Sequence, residues 1–156
     1  MYENAIKLME ERCGNADKQM VIGLATIALT KSVSGAMRPS NRMVCAYYEK
    51  GAFYVSTDAT KSKMAEIAQN SEVAICGMDW FVANGIAENL GWVKDEKNAQ
   101  IRTNMKKIFP WYDDHAGEDS PDSIVLRITL TNGTIIDNEQ KYGEWKYEVD
   151  FTNIVT

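Results

Sequence analysis

Short strands following one another along the chain, with only a few helices between them, predict an antiparallel α+β domain rather than a parallel βαβ sheet. Two hairpin signals support that class, at Glu49-Lys50-Gly51 and at Asn132-Gly133. The 156 residues, 45% of them apolar and 25% charged, suit one domain spanning 1–156 that buries a core without staples.

Each element carries its own signal. Residues 2–13 place Ile6, Met9 and Cys13 at helical spacing, and Gly14 ends that helix. Met20 to Thr30 is rich in apolar and β-branched residues and reads as a strand. Lys31 to Asn41 holds Gly35, Pro39 and several serines, a connection. Arg42 to Tyr48 and Ala52 to Thr57 form a hairpin. Tyr47 and Tyr48 then point to opposite faces, with one of them in the core. Lys61 to Gln69 is helical, Glu72 to Gly77 and Phe81 to Leu90 are strands, and Asp95 to Lys107 is a charged amphipathic helix stopped by Phe109-Pro110. Asp113 to Asp122, with five acids, reads as a solvated loop. Ile124 to Thr131 and Thr134 to Ile136 are strands about the Asn132-Gly133 turn, and Glu144 to Phe151 alternates Trp145, Tyr147, Val149 and Phe151 on one face.

Several function classes are disfavoured. A net charge of −5 argues against general nucleic-acid binding. The longest apolar run, Val21 to Leu29, falls short of the roughly 20 residues that span a bilayer, so no membrane partner is expected. The N-terminus lacks the basic and apolar regions of a secretory signal. Cys13, Cys45 and Cys76 have no metal or redox spacing and read as reduced core thiols of a cytoplasmic protein. The single histidine, His115, sits in the acidic loop and reads as a surface residue, so no metal site is expected.

No glycine-rich phosphate loop of the Rossmann or P-loop kind is present. A different anion site can be built from the hairpin. Continued pairing about Lys50-Gly51 would set Arg42 opposite Asp58 or Ala59, beside Thr57, where the chain turns into the helix near Lys61. Arg42, Thr57, Ser62, Lys63 and the first-turn amides would then converge, a set that suits a phosphate. Between Lys31 and Lys63 six basic residues face two acids, against the negative charge of the whole chain. Lys61 and Lys63 also stand at a helix start, where the dipole disfavours cations unless an anion binds.

The runs Arg42-Met43-Val44, Phe53-Tyr54-Val55-Ser56-Thr57, Lys61-Ser62-Lys63-Met64, Asn70-Ser71-Glu72-Val73-Ala74 and Val82-Ala83-Asn84-Gly85-Ile86-Ala87-Glu88 resemble, in order and spacing, the pyridoxamine 5′-phosphate oxidase-like FMN-binding split barrels. The resemblance implies an antiparallel split β-barrel with peripheral helices, a homodimer, and a flavin in the groove between two subunits. Arg42 and Lys63 would grip the FMN phosphate, with Ser62 and Lys61 assisting and Arg42, as a rigid two-pronged donor, contributing more than Lys63. The backbone at Met43, Val44, Ser56 and Thr57 would meet the ring and ribityl chain. Trp80 would reach the partner's flavin.

The chain departs from the vitamin B6 oxidases. Those place Ser-Arg-Lys where this chain has Lys61-Ser62-Lys63, and carry arginines after a C-terminal tryptophan, where here Trp145 is followed only by Lys146. The expectation is an FMN-dependent oxidoreductase acting on a small molecule other than vitamin B6. The alternatives are a non-enzymatic flavin-binding or stress-related protein, or the same barrel holding a deazaflavin or haem.

Overall fold

The computed structural model describes residues 2–77 and 79–153. Helix α1 (Tyr2–Cys13) buries Ala5, Leu8, Met9 and Cys13 and stops at Gly14, whose φ of 77° releases the chain from the helix. There follow β1 (Met20–Ile27), β2 (Pro39–Glu49), β3 (Ala52–Asp58), α2 (Ser62–Gln69), β4 (Glu72–Gly77), β5 (Phe81–Trp92), α3 (Ala99–Ile108) after a 3-10 turn, α4 (Tyr112–His115), β6 (Ser123–Ile136) and β7 (Lys146–Asp150).

All strand pairings are antiparallel, in the order β3-β2-β1-β4-β5-β6-β7, and β3 also pairs with β6. That pairing closes β1 to β6 into a barrel and leaves β7 outside it on β6. The β2–β3 hairpin turns at Lys50-Gly51, both at positive φ, which matches the twist of paired strands.

Alternation along the strands divides the apolar residues between two cores. Ile22, Leu24, Phe53, Val55, Leu126 and Ile128 fill the barrel. Val125, Tyr47 and Tyr54 turn outward, under Met105, Phe109 and Tyr112. Tyr47 and Tyr48 are therefore both buried on opposite faces: Tyr48 against Phe53 in the barrel, and Tyr47 stacked on Tyr54 at 5.0 Å under α3.

Four expectations change. Asn132-Gly133 is no turn, because β6 runs straight through it. Thr131 is the extra residue of a bulge opposite Asn84 and Gly85, and Gly133 is needed for close approach, since a Cβ there would stand 2.6 Å from the Val82 carbonyl oxygen. The acidic stretch is partly ordered. It begins in α4, and Glu118 accepts a two-pronged pair from Arg102, at 2.8 Å from Nε and 2.7 Å from Nη2. Cys45 and Cys76 are half-buried rather than core thiols, because they lie on the outer sheet face; only Cys13 is buried.

The fourth change concerns register. The β2–β3 ladder covers only Tyr47 to Glu49, after which β3 follows β6 and β2 follows β1. Arg42 therefore pairs with Leu24, not with Asp58 or Ala59.

Candidate cofactor site

The splaying of β2 from β3 opens the barrel where α2 begins. Met64 and Ile67 of α2 pack into the barrel core, which fixes the helix and presents Lys61, Ser62 and Lys63 at its start. Among the described residues no side chain caps that start; Met64 N–H donates to the Lys61 carbonyl oxygen at 2.9 Å, and the Ser62 and Lys63 amides stay available to an anion. Arg42 reaches the same place from β2 despite the changed register. Lys63 is half-buried, and its pKa is driven down by burial and then by the nearby charges of Arg42 and Lys61, against the weaker opposing pull of Asp58. No acid lies within 4 Å of Lys63 among the described residues.

Arg42 is held differently. Its Nη1 donates to Thr26 Oγ1 at 2.7 Å, with the carbonyl oxygens of Leu24 and Ser40 at 3.3 and 3.4 Å. Its Nη2 donates to Ser40 Oγ at 2.9 Å and to Glu66 Oε2 at 3.3 Å. Thr26 Oγ1 in turn donates to Glu66 Oε2 at 2.5 Å. Thr26 and Glu66 are both buried, and neither stands out in the sequence. The available signal for Glu66 was its place three residues after Lys63, which puts it next to Lys63 on one helix face.

The other expected residues divide. Met43 points outward and is exposed, whereas Val44 packs against the barrel core. Ser56, Thr57 and Lys61 border a groove of about 450 Å³ whose far wall carries Trp111 and His115. Trp80, in the turn between β4 and β5, has Arg12 over its ring at 5.0 Å and Phe81 at 4.6 Å; among the described residues neither Arg42 nor Lys63 stacks on that ring. Among the described residues no cluster of three metal-ligating side chains occurs, and no helix is long and apolar enough to cross a membrane.

A lysine with no acid within 4 Å among the described residues, an uncapped helix start and a second cation nearby form a donor set that fits a phosphate group. Closed by β3–β6 pairing and open at this end, the molecule has the split-barrel fold of the pyridoxamine 5′-phosphate oxidase-like proteins.

Solved structures agree. A pyridoxamine 5′-phosphate oxidase candidate from Listeria innocua superposes with a TM-score of 0.61 at 20% identity, over 86% of this chain and 98% of that one. A Clostridium acetobutylicum protein related to general stress protein 26 gives 0.61 at 14% identity, over 99% and 96%. An FAD-binding protein from Mesorhizobium loti gives 0.55 at 17%, over 83% and 89%. A haem-binding protein from Mycobacterium smegmatis gives 0.58 at 15% identity, over 85% of this chain and 53% of that one, and an F420 reductase gives 0.54 at 16%, over 80% and 94%. At these identities the likeness establishes the fold. The chain matches no known family profile and no curated protein.

Proposed function

We propose that this protein binds FMN and serves as an FMN-dependent oxidoreductase for a small molecule other than vitamin B6. The observation that carries the reading is Lys63, a half-buried cation with no acid within 4 Å among the described residues, set at the uncapped start of α2 beside Arg42 and Lys61. The phosphate of FMN supplies negative charge to this group of cations. Ser62 and Lys61 border it, and the backbone of Met43, Val44, Ser56 and Thr57 lines the way for the ribityl chain and ring. Bound flavin brings the hydride or electron chemistry, and the protein supplies position, charge and exclusion of water.

A homodimer belongs to the same reading. Val21, Met43 and Val82 are 42%, 62% and 56% exposed. Strand register places them on one outer face with Gly23, Cys45 and Cys76, and that face holds a groove of about 370 Å³. A second copy would cover this apolar row, and Trp80 would have to meet the flavin from across that interface. A cytoplasmic setting belongs to the same reading, carried by three cysteines whose spacing suits neither a disulfide framework nor a metal site.

The F420 reductase on the same fold supports a second reading, a deazaflavin in the same cradle. Haem is disfavoured because the one histidine is exposed on α4. Purified protein should be yellow and should release FMN on denaturation, and NADH or NADPH should bleach it without oxygen. A colourless protein that FMN does not reconstitute refutes flavin binding. A yellow protein that no reductant bleaches supports the non-enzymatic alternative.

A further inference from the structure

We propose that Glu66 is a positioning residue for the phosphate cradle: with Thr26 and Ser40 it occupies both terminal nitrogens of Arg42 and pins α2, so that Lys63 is the cation that meets the phosphate. The proposal rests on the flavin reading above and divides the labour within it.

A guanidinium has five N–H donors in a fixed fork, and two-pronged recognition of phosphate uses either both terminal nitrogens or one of them with Nε. Both modes need a terminal nitrogen. In Arg42 the terminal nitrogens face five acceptors within 3.4 Å, namely Leu24 O, Thr26 Oγ1, Ser40 O, Ser40 Oγ and Glu66 Oε2. Only Nε–H is without an acceptor among the described residues. Turning the fork onto a phosphate would break this set and leave the buried Glu66 carboxylate with Thr26 alone, a change that buried charges resist.

Lys63 has the opposite character. It carries three donors, stands half-buried and has no acid within 4 Å among the described residues. Glu66 follows it by three residues on the same helix face. The bonds that seat Glu66 against Arg42 of β2 and Thr26 of β1 therefore also set where Lys63 stands. This reverses the expectation that Arg42 contributes more than Lys63.

The test titrates the full-length chain with FMN and with riboflavin, following flavin fluorescence, in the parent, Lys63→Met, Arg42→Lys, Glu66→Gln and Lys63→Met/Glu66→Gln. The readout is the riboflavin dissociation constant divided by that of FMN, which isolates the phosphate. Lys63→Met should lower the ratio by at least about tenfold, and Arg42→Lys by less. Glu66→Gln should lower it by about threefold to tenfold while riboflavin affinity holds, and should have no further effect in the Lys63→Met background. Three results would overturn the inference: Arg42→Lys lowering the ratio more than Lys63→Met, Glu66→Gln raising the ratio, or additive effects in the double variant. A parent that binds both ligands alike refutes the cofactor reading itself. If Glu66→Gln does not fold by circular dichroism, the order of Lys63→Met and Arg42→Lys decides the proposal.

Discussion

Replacing Arg12 should destabilise the protein more than replacing its partner Asp137. Arg12 Nη2 meets Asp137 Oδ1 at 2.7 Å, and Nη1 donates to the Ile136 carbonyl oxygen at 2.8 Å. The Arg12 side chain is 27% exposed and that of Asp137 is 0%. Arg12→Met strands a fully buried carboxylate whose remaining bond comes from the Lys141 backbone N–H. Removing one partner of a buried pair costs about 3–5 kcal/mol, and this case should fall near 3–4. Asp137→Ala instead leaves a guanidinium that reaches water and keeps Ile136 and the Trp80 ring, so about 1.5–2.5 kcal/mol is expected. At roughly 2–4 °C per kcal/mol for a chain of this size, Tm should fall by about 6–16 °C and about 3–10 °C respectively. Urea denaturation with an unchanged slope checks the free energies. The double variant should cost less than the sum of the two by at least about 1 kcal/mol. An Arg12→Met variant more stable than Asp137→Ala, or strict additivity, would refute the reasoning.

Two further predictions follow from titrating and reactive groups. The Arg102 hydrogen bonds hold the Glu118 carboxyl down to about 2, from an ordinary 4.5. Its stabilising contribution is therefore complete above the ordinary value and lost as pH falls toward 2. The Tm gap between the parent and Glu118→Gln should shrink over that window, and a constant gap would contradict the pairing. Burial pushes the Cys13 thiol up to about 12, so it should resist a thiol reagent until the protein unfolds. Cys45 and Cys76, on the outer face, should react faster as the protein is diluted from dimer to monomer; a rate independent of concentration would count against a dimer through that face.

Local signals made much of this fold readable. α1 has its sequence bounds because Gly14 stops a clear helical period, and Lys50-Gly51 turns the hairpin because both residues adopt positive φ. Readings failed where a local signal served a distant need. Asn132-Gly133 looks like a turn, yet its glycine admits the Val82 carbonyl beside a bulge. The register of Arg42 went wrong because barrel closure draws β3 onto β6, a choice made some 70 residues away that the hairpin does not contain. Lys63 was readable as a cation misplaced at a helix start. Glu66 and Thr26 were not, because an acid in a helix and a threonine in a strand are ordinary until the fold buries them against Arg42.

The central claim is that the start of α2 holds the phosphate of a flavin. Equilibrium titration of the parent protein with FMN and with riboflavin, two ligands that differ by that phosphate alone, tests it most directly. Two charged hydrogen bonds of about 1.5–3 kcal/mol each predict that FMN binds at least about 100-fold more tightly. Equal affinity for the two, or no binding of either, would contradict the account.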